Sequence, residues 1–357
     1  MSAEPTSAKP PVISVVVAAF NAAETLGETL HSLRQQTWSD FEIVVVDDGS
    51  SDGTRALLEA QGDHVRTFRQ ENGGIGSARN RGMREAQGEF IALMDADDIC
   101  DPARLQIQLD YLRARPEILL CSTDFSSFDA TGLIERSSIG AYYSRCNAAH
   151  GGVGARYDEH GGFVLPVAAC GRPIGSEVPT HSGRPFEQLL LGNFIHPPTV
   201  MFRRAVLDLA GNFDPSIRIA CEWEWLVRVA RAGAVGYIDL PLLGYRRSAS
   251  QISSSPAMNL DSLRVALAMH RRYARPRSLE PAAVRRQLGR LELQAAYAIA
   301  PERRRTALAL LASSLLRRGV LSSLSLRTLV RALVPGAMLQ RLRAARRRRS
   351  STPQQAS

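Results

Sequence analysis

Two apolar runs of strand length, each ending abruptly in paired carboxylates, constrain this chain more than any other feature. They are Phe41-Glu-Ile-Val-Val-Val-Asp-Asp-Gly-Ser50 and Phe90-Ile-Ala-Leu-Met-Asp-Ala-Asp-Asp98. Unbroken runs of this kind belong to strands buried on both faces, the condition of an α/β sheet. In such sheets ligands bind beyond the carboxyl ends of the strands, where these aspartates fall. Two acidic strand ends on one rim can hold a divalent cation and the polar groups of a nucleotide. Oxygen ligands suit Mg²⁺ or Mn²⁺, which bind through one or two carboxylates together with substrate phosphates. The residues therefore describe a site for a nucleoside diphosphate.

The flanking pattern agrees. Val12–Ala19, Phe41–Val46, Val65–Arg69 and Phe90–Met94 read as strands. Between and after them, Ala23–Gln35, a segment capped by Ser51-Asp-Gly-Thr54, Gly76–Gln87 and Asp101–Arg113 read as helices, with Pro102 at a first helical position. Alternation of this kind predicts a mostly parallel sheet flanked by helices. Residues 132–185 break the rhythm. They are rich in Gly, Ser, His and Arg, with Gly151-Gly152 and Gly161-Gly162 pairs, and are expected to form a long mobile loop on the acceptor side. His150, His160 and His181 are spaced too irregularly for a metal site. Order resumes with a turn and strand over Gly192–Arg203, a short helix Arg204–Leu209, a helix Glu222–Ala232, and short strands Gly236–Leu240 and Leu243–Arg246.

The chain of 357 residues, 45% hydrophobic and 22% charged, is long enough for about two domains. It contains no run of 18 apolar residues, so no membrane-spanning helix is expected. Residues 1–11 lack the apolar core of a secretion signal and are expected to be a disordered lead. Five scattered cysteines without CxxC spacing argue against zinc and fit reduced thiols in the cytoplasm. The net charge of +9 conceals a division. Residues 257–357 carry 21 Arg, no Lys and four Asp or Glu, giving +17. The preceding residues carry 23 Lys or Arg against 31 Asp or Glu, giving −8. A basic module on an acidic body points to an anionic partner, membrane surface or nucleic acid. Beyond Pro256 the pattern is helical, with a helix from Pro301 to Gly319 and another over Leu324–Leu333. The expected organisation is thus a lead (1–11), a catalytic domain (12–255), a helical extension (256–334) and a basic disordered tail (335–357).

Five ordered motifs run from Ile13 to about Ser253: Val15-Val-Val-Ala-Ala-Phe-Asn21, Val46-Asp-Asp-Gly-Ser50, Asn72-Gly-Gly74 with Ala78-Arg-Asn80, Asp95-Ala-Asp97, and His196-Pro-Pro-Thr199. In this the chain resembles the family 2 glycosyltransferases, with their nucleotide-binding α/β architecture called GT-A. The resemblance implies an inverting transferase that moves a sugar from a nucleotide-sugar, UDP favoured, to a hydroxyl of a glycan or lipid-linked acceptor. It implies that Asp97 coordinates Mg²⁺ or Mn²⁺ on the diphosphate, with Asp95 at the ribose or the metal. Asp48 would accept from base or ribose, with Asp47 in the turn. Ala18 and Phe20 would lie at the nucleotide, Phe20 either stacking on the base or packing in the core. Arg79, following Gly73-Gly74 near a helix N-terminus, would meet base or phosphate. Asp98 is expected to cap toward Pro102.

The base is less sharply marked. Cys221-Glu-Trp-Glu-Trp225 stands where inverting members carry an acidic pair, so Glu222 takes the base position, Glu224 is the alternative, and Cys221 replaces the first acid. His196 would face the acceptor or buttress its turn, and Arg246 or Arg247 would contact the diphosphate. Ser248 replaces a common histidine, so no His ligand is expected there.

Three other functions compete for the same residues. A dinucleotide-dependent oxidoreductase needs Gly-x-Gly-x-x-Gly after the first strand, where this chain has Ala18-Ala-Phe-Asn-Ala-Ala. Loss of the first acid leaves open a catalytically weakened binding protein. The Arg-rich C-terminus alone would bind anions or nucleic acid non-specifically, but it holds no motif for specific nucleic-acid recognition. Its Leu-faced basic helices suit an anionic membrane surface better, placing the protein in the cytoplasm, peripheral on the inner face of the membrane.

Overall fold

The computed structural model describes residues 9–248, 256–273 and 279–334, and the chain divides into two compact units, Met1–Ala249 and Ser250–Ser357. In the first unit, β1 (Ile13–Ala19), α1 (Leu26–Arg34), β2 (Phe41–Asp47), α2 (Thr54–Glu59), β3 (Arg66–Arg69), α3 (Ile75–Glu85) and β4 (Phe90–Asp95) follow in turn. The four strands pair in parallel in the order β3-β2-β1-β4. Their interior residues, Val15–Val17, Val44–Val46 and Ile91–Met94, are buried, as β-branched runs covered on both faces should be. In register, Ala18 lies opposite Val46 on one side and Asp95 on the other. The carboxyl ends of β2, β1 and β4 therefore finish level, and the acidic pairs share one rim.

The chain continues through β5 (Ile99–Cys100), α4 (Arg104–Ala114), β6 (Ile118–Asp129), β7 (Gly132–Glu135), α5 (Ile139–Tyr142), β8 (Glu159–Val164), β9 (Glu177–Gly183), α6 (Phe186–Leu190), β10 (Met201–Arg203), α7 (Val206–Ala210), α8 (Cys221–Ala232) and β11 (Ala234–Arg246). The complete sheet runs β3-β2-β1-β4-β10-β6-β11-β9-β8, with β7 on β6 and β5 on β11. Residues 132–185 are thus not one long loop. They supply β7 and the antiparallel β8–β9 hairpin that extends the sheet beyond β11, and the Gly161-Gly162 pair sits within a strand. The two short strands expected around Pro241 are one strand. Its pairing with β6 slips register on either side of that proline, which has no N–H to give a ladder.

A buried arginine fastens the rim. Arg104, with no exposed surface, donates to the Leu93 and Val200 carbonyls and to Gln108, tying β4 to the segment entering β10 just below Asp95.

The second unit is helical: α9 (Pro256–Arg272), α10 (Pro281–Ile299), α11 (Arg304–Arg318) and α12 (Ser323–Leu333). Leu293, Ala296, Ile299, Ala307, Leu311 and Ala332 make its core. Gly319, at φ 66°, ends α11 in the left-handed conformation that glycine adopts freely. The expected disordered tail, and all but the last residues of the lead, lie outside the described residues.

Candidate active site

The site is built where α3, β4 and α8 meet. The N-terminus of α3 is set by Asp48, whose Oδ1 accepts from the Gly73 N–H (3.0 Å) and Gln70 (2.7 Å) and whose Oδ2 accepts from the Gly74 N–H (2.8 Å). Gly74 stands at φ 86°, a conformation costly for any residue with a Cβ. Two residues on, Gly76 faces α8 so closely that a Cβ there would lie 3.0 Å from the Cys221 sulfur. This bare position lets α3 pack against the start of α8 and brings Arg79 toward Glu222.

Arg79 is 2% exposed and donates to Asp95 Oδ1 at 2.6 Å. Burial works against its charge, but Asp95, Cys221 and Glu222 outweigh that and hold its pKa above the ordinary arginine value. Its Nε is buried without a partner among the described residues. Glu222 sits in the first turn of α8. Burial raises its pKa, Arg79 opposes the rise and Asp95 adds to it, and the carboxyl remains above the ordinary glutamate range. Cys221, whose thiol is pushed up to about 12 chiefly by burial, points its S–H at Glu222 Oε2 (3.8 Å).

Glu224 is elsewhere engaged. Its two oxygens accept from Arg228 Nε at 3.0 Å each, and Arg228 Nη2 adds a bond of 2.8 Å. Arg228 in turn grips the Ala210 and Asn212 carbonyls. Glu224, the alternative base, thus belongs to a clamp that seats α8 on the loop after α7.

A second acidic group follows β4. Asp97 has its pKa raised to about 6 by burial and by Asp95, against Arg246. Asp98, with no exposed surface, is raised well above the usual range by burial, Asp97 and Asp95. The capping expected of Asp98 is also corrected: its Oδ1 accepts from the Arg246 N–H (3.0 Å), and Asp101 accepts from the Ala103 N–H instead (2.9 Å). Arg246 itself spans the Asp97 carbonyl (2.8 Å), Glu28 and the Phe128 ring, so it fastens β11 to the acidic turn. Arg247 lies 4.0 Å from Glu135, both half-exposed.

These carboxylates bear on the expected cation. Among the described residues no three His, Cys, Asp or Glu converge on one metal position. Besides burial, the turn carries negative charge only partly offset by Arg246 and Arg104, which adds to the resistance of Asp97 and Asp98 to ionisation. Such a turn fits Mg²⁺ or Mn²⁺ held by one or two carboxylates, with diphosphate oxygens completing the shell.

An aromatic wall, unforeseen in the sequence, lies beside this grouping. His196 is buried and stacks on Phe125 with centroids 4.2 Å apart, edge-on to Tyr142 and Tyr245. Burial lowers its pKa to about 3, so the ring is neutral. Its Nδ1 lies 3.4 Å from the Tyr143 hydroxyl, and burial, Tyr142 and Glu222 raise the Tyr143 pKa. Asp124 on β6 aims this wall by accepting the Ile139 N–H at the start of α5 (3.0 Å). The clue was present in Ala141-Tyr-Tyr143, hidden in a stretch read as loop.

On the other side of the rim, Phe20 is 51% exposed, not core, and follows half-buried Ala18. Asp47 accepts from the Ser50 N–H (2.8 Å) and Arg69 (3.0 Å), the turn role expected of it. Asp48 spends both oxygens on the Gln70–Gly74 loop. Gly49, Arg69, Gln70, Glu71 and Asn72 line a groove of about 530 Å³ beside it. Asp95, Arg79, Glu222, His196 and Asp97 are thus brought together, whereas Glu224 is not and Arg246 is already committed.

Residues 14–208 match the family described as Glycosyl transferase family 2. The chain belongs to that family. It is 32% identical to an uncharacterized glycosyltransferase of Rickettsia typhi over 70% of this chain and 68% of the relative. A Rickettsia prowazekii counterpart is 33% identical over 70% and 69%. Among solved structures, S. aureus TarS 1–349 in complex with UDP-GlcNAc superposes with a TM-score of 0.55 at 17% identity, over 85% of this chain and 81% of that one. The transferase therefore has the GT-A fold, and the grouping above lies on the sheet rim of a glycosyltransferase.

Proposed function

We propose that the protein transfers a sugar, with inversion, from a UDP-sugar to a hydroxyl of a glycan or lipid-linked acceptor at the cytoplasmic face of a membrane. The observation that carries this reading is the grouping of Asp95, Arg79 and Glu222 from β4, α3 and α8. The UDP-GlcNAc bound by TarS supports the choice of nucleotide.

Glu222 takes the acceptor hydroxyl proton. The freed oxygen forms its bond to the anomeric carbon on the face opposite the diphosphate, whose bond to that carbon breaks with the electron pair leaving on the diphosphate. A raised Glu222 pKa brings the base closer to working pH. Arg79 opposes the rise in the Glu222 pKa and orders Asp95. Mg²⁺ or Mn²⁺, held by Asp97 and Asp95, would supply charge neutralisation for the departing diphosphate. Phe20 offers an exposed ring to the base beside the Asp48 loop, and His196 with Tyr143 gives the acceptor a neutral wall. The thiol at Cys221 does not disarm the base. Neutral at any working pH, it adds no charge to repel Glu222, which speaks against a weakened binding protein. Single-turnover assays with UDP-sugars and Mn²⁺ test the reading: retention of full activity by both Asp97→Ala and Glu222→Gln would overturn it.

A further inference from the structure

The last described helix is built inside out. On α12 the residues turned to the core are Ser325, Thr328 and Ala332, each at most 2% exposed. Those turned outward are Leu326, Leu329, Val330 and Leu333, between 38% and 61% exposed. The outward set recurs at i, i+3, i+4 and i+7, one continuous helical stripe. Burying hydroxyls while exposing leucines is not what water selects. The inward hydroxyls are satisfied locally: Thr328 donates to the Leu324 carbonyl (2.7 Å), and Ser322 and Ser325 close a capping box at the helix start. The turn leading in adds Val320 (59%) and Leu321 (77%). The orientation is therefore fixed, and the apolar stripe is left to meet a second apolar medium.

Charge says which medium. Arg327 lies exposed beside the stripe, and Arg331 lies over the Tyr297 ring at 4.3 Å. Six arginines, Arg341, Arg343 and Arg346–Arg349, follow within the next sixteen residues of sequence, with no acidic residue among residues 303–357. A second copy of so basic a unit would be repelled, and a nucleic acid would offer nothing to four apolar side chains. Apolar face plus arginines is the combination that settles at the boundary between lipid headgroups and acyl chains.

We propose that α12 lies in an anionic lipid surface, with Leu326, Leu329, Val330 and Leu333 in the acyl boundary and the exposed Arg327 toward the headgroups. The inference does not depend on the donor or the base. It is tested by flotation of the full chain with vesicles of phosphatidylcholine alone and of phosphatidylcholine mixed with phosphatidylglycerol. The expected result is binding only to the anionic vesicles, weakened by salt, and lowered at least about tenfold in Leu326→Gln/Leu329→Gln/Val330→Gln/Leu333→Gln. The four sites are exposed, so circular dichroism and transferase activity on a soluble acceptor should be unchanged. Equal flotation of that variant and the parent chain would overturn the proposal. So would a dimer in light scattering that the same substitutions dissolve, since that would make the occupant a second copy. Loss of binding only on replacing Arg346–Arg349, with the stripe variant unaffected, would also overturn it.

Discussion

Replacing Glu222 and Glu224 one at a time, each by glutamine, separates the chemistry of α8 from its seating. The two carboxylates stand two residues apart, yet the structure gives them opposite environments. Glu224 is 9% exposed and its partner Arg228 16%, joined by three bonds of 2.8–3.0 Å. Removing one partner of a buried pair costs about 3–5 kcal/mol. Here Arg228 keeps its two carbonyl bonds and glutamine can still accept one, so about 2 kcal/mol is expected. Spread over a domain of this size, that is a fall in Tm of roughly 4–8 °C, with kcat within about threefold of the parent. Glu222→Gln should do the reverse. It removes a carboxylate that burial already disfavours, so Tm should hold or rise. Loss of general-base assistance should lower kcat by about 10²–10⁴. Differential scanning calorimetry and single-turnover kinetics on the two variants decide it. A Glu224→Gln protein of parental stability but lost kcat would refute the argument.

Three further outcomes follow from the geometry. Phe20→Ala should raise KM for the donor about tenfold, as loss of aromatic stacking on a base does, and leave Tm alone because the ring is already half exposed; steady-state kinetics with melting checks both. His196, held neutral with a pKa of about 3, contributes stability that is full above pH 6.5 and lost as pH falls toward 3. That loss, at most about 5 kcal/mol, should flatten in His196→Gln when urea unfolding is followed from pH 7 to 4. Asp97 is shifted the other way, upward, yet its effect is also lost as pH falls. Its pKa of about 6 means that it must give up a proton to hold a cation, so Mn²⁺-dependent UDP affinity should drop progressively below about pH 6, and an affinity flat from pH 7.5 to 5 would contradict its role.

How much of this was legible in the sequence varied with the kind of signal. Strands β1, β2 and β4 were readable because burial on both faces writes an unbroken apolar run, and their acidic ends named Asp95 and Asp97 directly. Strand β6 was missed because Ser122, Thr123, Asp124 and Ser127 are buried polar residues, satisfied by neighbours that no local pattern discloses. The β8–β9 hairpin was hidden by glycines and histidines that ordinarily mark loops. Glu222 and Glu224 differ in sequence only by their place in the family's pattern, since both fall in the first turn of one helix. Only the position of Arg228 one turn on, and of Gly76 on the distant helix α3, gives them different surroundings. Arg246 carries a similar ambiguity: a long cation near a diphosphate site can reach the ligand or brace the turn, and in the structure it holds the Asp97 carbonyl.

The claim on which the account rests is that the acidic turn after β4 binds the diphosphate through a cation. Calorimetric titration of UDP into the protein, with and without Mn²⁺, on the parent chain and Asp97→Asn, tests it most directly. The account predicts binding that requires Mn²⁺ and disappears in Asp97→Asn. Equal affinity with and without Mn²⁺, or an Asp97→Asn protein that binds as the parent does, would contradict it.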